Sequence, residues 1–313
     1  MKKICIIVGP TAVGKTDISL AVAKQLNGEI ISADSAQVYK YMNIGTAKIT
    51  EEEMQGIKHY MLDEVYPDQS FSVAEFRERA DMYIDDITEK GKLPLIVGGT
   101  GLYINALLNN LDFTPAVGNE AFRQRLSKLA QEMGNEYVHE MLRNVDRPSY
   151  ERLHPNDLRR VIRALEVYEF TGKTITYFQE ESKKLPPRYD FAYIGLTMDR
   201  AKLYEKIELR VDKMLEQGLI EEVKKLLDMG YSRELVSMQA LGYKEIASYL
   251  HGECTLEDAA AILKRDSRHY AKRQLTWFRS DPRIKWFDID KFCSREDIIE
   301  NIVKYIAGKI ILL

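Results

Sequence analysis

Cysteine is scarce in this chain. Cys5, Cys254 and Cys293 are odd in number and far apart, which excludes a disulfide framework and suits a reducing compartment. His251 and Cys254 stand close enough to share a metal, yet no second His/Cys pair accompanies them, and His59, His139, His154 and His269 show no ligand spacing; no zinc site is expected. Long apolar runs are missing too. Nothing reaches the roughly 18 consecutive apolar residues that a spanning helix needs, and only two lysines precede the first apolar run, in place of a leader. A cytoplasmic protein without a membrane contact is therefore expected. Net charge is nearly absent, −3 from 45 basic and 48 acidic residues, so any nucleic-acid contact must come from a local basic surface. Internal repeats and low-complexity segments are absent as well. What remains is an ordinary globular composition, 45% hydrophobic with a mean hydropathy of −0.32, enough for one large or two modest domains.

The N-terminal half alternates strand and helix signals: "KICIIVG", "DISLAVAKQL", "GEIISAD", "FSVAEFRERADMYIDDITEKG" and "LPLIVGG". That order predicts an α/β fold, a parallel sheet with flanking helices whose ligands gather beyond the C-terminal strand ends. From about Thr114 the strand signal disappears, and short amphipathic helices broken at Gly134, Pro148, Pro155, Gly172 and Pro186-Pro187 follow. "FAYIGLTM" at 191–198 reads as a strand again, ahead of helices at 200–217, 219–229 and roughly 257–279. We expect a core of residues 1–113 and 191–313 with an all-helical insertion at 114–190.

"GPTAVGKT" at residues 9–16 fits G-x-x-x-x-G-K-[ST] between a strand and a helix, the order a phosphate-binding loop needs. Its backbone N–H groups and Lys15 would cradle a diphosphate, Thr16 would reach Mg²⁺, and the following helix would add its positive dipole end. An ATPase or GTPase usually ends a later strand on an aspartate that helps hold the metal. Here that strand ends in Gly98-Gly99-Thr100-Gly101. Asp34 instead follows the second strand, where it could assist the metal, take a proton from a nucleophile, or cap a helix.

These segments, with "ISADSAQVYKYMNIGTAK", "LPLIVGGTGLYINALL", "HPNDLRRVIRALEV", "RVDKMLEQGLIEEV", "QALGYKEI" and "AKRQLTWFR", resemble the tRNA dimethylallyltransferases along nearly the whole chain. The resemblance implies that the diphosphate belongs to dimethylallyl diphosphate and is the leaving group, displaced by the N6 amine of the adenosine 3′-adjacent to the anticodon. It implies that Gly9, Thr11, Ala12, Val13, Gly14, Lys15, Thr16 and Arg210 bind the diphosphate, with Mg²⁺ on Thr16. Asp34 would be the general base, Asp34, Ser35, Ala36 and Gln37 would touch the target nucleoside, and Thr100 would lie beside the reacting base. Arg123, Arg159, Arg160, Val161, Ile162, Arg163 and the run Gln239, Ala240, Leu241, Gly242, Tyr243 and Lys244 would contact tRNA. The insertion would grip the anticodon stem. The chain stops at Leu313 without the zinc finger of eukaryotic relatives, so it is similar to the bacterial form, and a monomer is expected.

The residues support this chemistry locally. Leu203, Ile207, Arg210 and Met214 fall on one helix face, so a cation sits on an apolar stripe and either snorkels to solvent or points to a buried anion. Arg159 and Arg163 recur at i, i+4 on a helix whose apolar face carries Leu158, Val161, Ile162 and Leu165. Lys264, Arg265, Arg268, Lys272, Arg273 and Arg279 cluster against Asp266 alone; each stretch reads as an RNA surface or a solvated face. "QALGYK" suits a nucleotide-holding loop or a turn between helices. Trp277, Phe278, Trp286 and Phe287 read as core. Three rivals stand beside the transferase: a small-molecule kinase, a prenyltransferase of free adenine nucleotides, and a GTPase-like switch, against which the missing strand-end aspartate speaks.

Overall fold

The computed structural model describes residues 1–109 and 118–310. It divides into two compact units, Met1–Ile104 with Tyr189–Leu313, and Asn105–Arg188. The expected boundary at 113/114 lies outside the described residues, and the second division falls at 188/189 rather than 190/191.

The first unit is built on one six-stranded sheet, order β3-β2-β4-β1-β5-β6, in which every pairing is parallel. Its strands are β1 (Lys2–Val8), β2 (Gly28–Ala33), β3 (His59–Tyr60), β4 (Leu93–Gly98), β5 (Tyr189–Thr197) and β6 (Lys285–Asp288). Ile4 to Val8 are wholly buried, and β2 and β4 are buried along their length, because helices cover both faces of a parallel sheet and leave no polar alternation. Helices α1 (Lys15–Gln25), α2 (Glu51–Met54) and α3 (Val73–Glu89) precede the second unit, and α4 (Gly101–Leu108) spans the division. Ser72 and Glu75 close a capping box that fixes where α3 begins.

The second unit holds α5 (Glu120–Met133), α6 (Asn135–Glu140), α7 (Arg147–Arg152), α8 (Leu158–Thr171) and α9 (Ile175–Lys184), with no strand among its described residues. Phe122, Leu126, Val138, Leu142, Val161, Ile162 and Leu165 form its core. The chain then returns through β5 to α10 (Arg200–Glu216), α11 (Leu219–Asp228), α12 (Tyr243–Leu250), α13 (Leu256–Arg279) and α14 (Arg295–Ile310). The expected α/β fold is observed. The strands β3 and β6 and the helices α2, α4, α12 and α14 had no counterpart among the elements expected from sequence.

Register brings the site together. Val8 of β1 pairs with Gly98 of β4, which pairs with Ala33 of β2. The residues after Val8, Ala33 and Gly98 therefore leave the sheet side by side at its C-terminal edge, where open α/β sheets bind ligands.

Candidate active site

The loop after β1 is shaped by two residues in the left-handed region, Ala12 at φ 63° and Gly14 at φ 94°. A left-handed alanine carries a steric cost and marks a backbone held in place for a purpose. A Cβ at Gly9 would stand 2.7 Å from the Leu196 carbonyl of β5, so only glycine lets the loop pass so close to the sheet. Val13 points into the core and can serve a ligand only through its backbone. Thr16 is exposed in the first turn of α1, and the half-buried Lys15 Nζ donates to the carbonyls of Gly9 (3.0 Å) and Pro10 (2.8 Å). Burial pulls the Lys15 ammonium down to about 7; the positive charge of Arg210 acts the same way and Asp34 opposes them.

Asp34 follows β2 directly. Its Oδ1 accepts from the backbone N–H of Ala36 (2.9 Å) and of Gln37 (3.4 Å), closing a turn rather than a helix. Its Oδ2 accepts no hydrogen bond from the described residues. The carboxylate is half-buried and within charge range of Lys15, Arg210, Lys48, Tyr103 and Tyr270. Arg210, half-buried on α10 beside buried Leu203, Ile207 and Met214, lies within charge range of Asp34; burial depresses its pKa while Asp34 raises it. The Thr100 hydroxyl accepts from Ser35 N–H at 3.1 Å, and Thr100 N–H donates to Ala33 O at 3.1 Å, which ties the β4 loop to the Asp34 turn. Gln37 turns inward. Its Oε1 accepts from Ser32 Oγ (2.9 Å) and its Nε2 donates to Thr46 O (3.2 Å), so its side chain braces the turn instead of presenting itself to a nucleoside.

The fourth wall is one that sequence reasoning missed. Tyr270, Gln274 and Trp277 recur at i, i+4 and i+7 on α13. Gln274 is buried against Thr11 and Gly99, Trp277 packs on Gly101 with 39% of its surface still exposed, and Tyr270 has Thr100 and Gln274 as hydrogen-bonding neighbours. Of the four aromatics read as core, Phe278 and Phe287 are buried and Trp277 is not. Half of the basic stretch on this helix is neutralised: Lys264 pairs with Asp212 at 2.6 Å, Arg265 with Asp266 at 2.9 Å, and Arg268 with Glu208. Lys272, Arg273 and Arg279 remain exposed.

Several expected RNA contacts change character. Val161 and Ile162 are core residues of the second unit and present no side chain to a partner. Arg123 and Arg163 both grip the fully buried Glu166, Arg123 through Nε–Oε1 at 2.8 Å and Arg163 at 2.5 Å from Oε2. Burial alone would raise the Glu166 carboxyl, but the two guanidiniums outweigh it and hold the pKa below its usual range. Arg159 and Arg160 are exposed, Arg160 beside Asp157 at 2.6 Å. In the first unit, Gln239 to Gly242 lead into α12, and Tyr243 and Lys244 are its first two residues. The Tyr243 ring is buried against Gly45 with its hydroxyl on Glu222 at 2.6 Å, Gly242 is buried, Ala240 and Leu241 are half-buried, and Lys244 lies 3.6 Å from Asp266.

No group of three or more His, Cys, Asp or Glu side chains that could hold a metal occurs among the described residues. One exposed threonine hydroxyl suits a hard cation that arrives with phosphate oxygens and keeps several waters, as Mg²⁺ does. His251 bonds the Ala247 carbonyl through Nδ1 at 2.8 Å. No helix among the described residues is long and apolar enough to cross a membrane.

The IPP transferase family model matches residues 37–281. A tRNA dimethylallyltransferase of Acetivibrio thermocellus is 55% identical over 98% of both chains, and that of Carboxydothermus hydrogenoformans is 55% identical over 96% of both. Among solved structures, the full-length tRNA isopentenylpyrophosphate transferase of Bacillus halodurans superposes with a TM-score of 0.75 at 47% identity, covering 99% of this chain and 97% of that one. A eukaryotic dimethylallyltransferase caught acting on tRNA gives 0.77 at 28% identity, covering 96% of this chain and 80% of its own.

Proposed function

The chain belongs to the IPP transferase family, and on that premise we propose that it transfers a dimethylallyl group from dimethylallyl diphosphate to the N6 amine of the adenosine 3′-adjacent to the anticodon of tRNA. The observation that carries the mechanism is the meeting of three strand ends, which sets the Asp34 carboxylate within charge range of both Lys15 and Arg210. Breaking the C–O bond of an allylic diphosphate builds negative charge on the leaving oxygens. Lys15, Arg210 and the N–H groups of Gly9 and Ala12 to Thr16 are the groups that neutralise it. Thr16 would hold Mg²⁺ through its hydroxyl, and the ion would supply screening of the same charge.

An exocyclic adenine amine is a weak nucleophile that must lose a proton as its bond to carbon forms. Asp34 takes that proton through Oδ2, the oxygen its own turn leaves unused. Thr100 and Ser35 border the base. An adenosine stacked in an anticodon loop cannot reach this edge of the sheet, so it is flipped out of the stack first. Arg159 and Arg160 of the second unit, and Gln239 and Lys244 of the first, are the exposed or half-exposed polar groups that hold the RNA. We assign the second unit to the anticodon stem.

The decisive experiment incubates the protein with Mg²⁺, labelled dimethylallyl diphosphate and unmodified tRNA. One prenyl group per tRNA, lost when the target adenosine is replaced, is the expected result. Label in AMP but not in tRNA would make the chain a nucleotide prenyltransferase, and phosphoryl transfer from ATP would make it a kinase.

A further inference from the structure

Gln274 is buried on α13, and its single amide joins two loops that lie far apart in the chain. Oε1 accepts from Thr11 N–H at 2.9 Å, and Nε2 donates to the Gly99 carbonyl at 3.0 Å. Thr11 belongs to the loop that would hold the leaving group. Gly99 precedes Thr100, whose hydroxyl anchors Ser35 beside Asp34, so this second loop sets the acceptor side. A Cβ at residue 99 would stand 2.1 Å from Gln274 Nε2, so glycine there is what admits the amide. A Cβ at 101 would likewise stand 2.2 Å from the Trp277 ring, so one face of α13 presses on both loops in succession. The amide oxygen and one amide hydrogen make these two bonds in the same orientation, and Tyr270 is a further hydrogen-bonding neighbour of the side chain.

We propose that Gln274 is a positioning residue that keeps the leaving-group loop and the acceptor loop in one register, so that the allylic carbon is captured by nitrogen and not by water. This inference rests on the function proposed above. In the productive step the N6–C1 bond forms and the C1–O bond breaks, the electron pair departs on the diphosphate, and the N6 proton passes to Asp34. In the failure that Gln274 prevents, the same C1–O bond breaks but a water oxygen bonds to C1 and releases its proton to solvent, giving dimethylallyl alcohol and diphosphate. Both routes cleave the same bond in the same folded molecules. Their ratio therefore reports register and is insensitive to the fraction of protein that is folded, which a merely structural role would change.

The test compares the unmodified protein with Gln274→Met, which fills similar space without either bond, and Gln274→Glu, which retains an acceptor for Thr11 N–H and loses the donor to Gly99. With Mg²⁺, tRNA and labelled dimethylallyl diphosphate, the ratio of alcohol to prenylated tRNA should rise about tenfold or more in both, while kcat for transfer falls on the order of 10²-fold and KM for tRNA stays within about threefold. An unchanged ratio in either folded variant overturns the inference, and if the Met variant fails to fold the Glu variant decides alone. Should the unmodified protein transfer nothing to tRNA, the proposed function fails separately. Binding of inorganic diphosphate then reads the brace: about tenfold weaker binding in the variants supports it, and equal affinity sinks it.

Discussion

At Asp34 one carboxylate holds two positions at once. Oδ1 closes the turn through the amides of Ala36 and Gln37, and the other oxygen is left for chemistry. Closing this turn and taking a proton are compatible roles, and the substitution that separates them is Asp34→Asn, whose amide oxygen can still accept both turn bonds but cannot take a proton. Transfer should slow by about 10² to 10⁴-fold, with tRNA affinity and thermal midpoint little changed; a matched loss of tRNA binding would make Asp34 a binding residue. The same variant has a second signature. Burial and Arg210 bring Lys15 to about 7, against the pull of Asp34. Diphosphate prefers the ammonium, so binding takes up a proton and affinity falls as pH rises through 7, by up to about tenfold per unit. Removing the Asp34 charge lets Lys15 drop further, so the inflection moves to lower pH. Calorimetric titration with inorganic diphosphate from pH 6 to 9, corrected for the anion's own ionisation, tests this; an inflection in the same place in both proteins would uncouple the two residues.

At the scale of elements, what a linear reading could see depended on where each element's partners lay. Strands β1, β4 and β5 were legible because burial on both faces leaves apolar runs, and β2, Gly-Glu-Ile-Ile-Ser-Ala, was legible from its place in the alternating order. The two-residue β3 and four-residue β6 are too short to carry a pattern of their own and exist because a neighbouring strand offers a ladder. Helix α14 did carry a signal, Ile298, Ile302, Ile306 and Ile310 at four-residue spacing, in a segment left unassigned. The loops at the strand ends could be read from motif order, whereas Gln274 reaches Gly99 across 175 positions and nothing in its neighbourhood announces that. Charge stayed ambiguous for the same reason: two of the acids that pair with α13 cations, Glu208 and Asp212, sit on α10. In the second unit, Glu166 binds α8 to α5 by taking Arg123 and Asn119 N–H as well as Arg163. Replacing it by Gln should cost about 1–3 kcal/mol, below the full value for a buried pair because both arginines are over a third exposed. The folded pKa lies below the ordinary carboxyl value, so this stabilisation is present above about pH 4.3 and is lost as pH falls through the folded value. Chemical denaturation of Glu166→Gln should show both the loss at neutral pH and a flatter acid limb.

For the whole molecule, the difficulty is that a protein with a formal charge of −3 must hold a polyanion. Most of its arginines and lysines that looked free in the sequence are paired: Arg123 and Arg163 with Glu166, and Lys264, Arg265 and Arg268 with their own acids. Paired cations release few counterions, so affinity cannot come from total basic content and must come from the few that remain exposed. Arg159 and Arg160 are such residues in the second unit, and Arg160 would exchange Asp157 for a phosphate at little cost because the pair is solvated. A double substitution, Arg159→Ala with Arg160→Ala, should therefore raise Kd for tRNA and reduce the slope of log K against log salt by roughly 0.7 to 0.9 for each phosphate that is no longer neutralised. Arg123→Ala should behave differently. It leaves buried Glu166 short of a partner, so it should lower the unfolding midpoint and leave the salt slope nearly as it was. Filter-binding titrations over a range of salt concentrations, run beside thermal unfolding, separate the two. If Arg123→Ala flattened the salt slope as strongly as the double variant, Arg123 would exchange its carboxylate for RNA on binding, and its ion pair with Glu166 would be a resting state of the free protein.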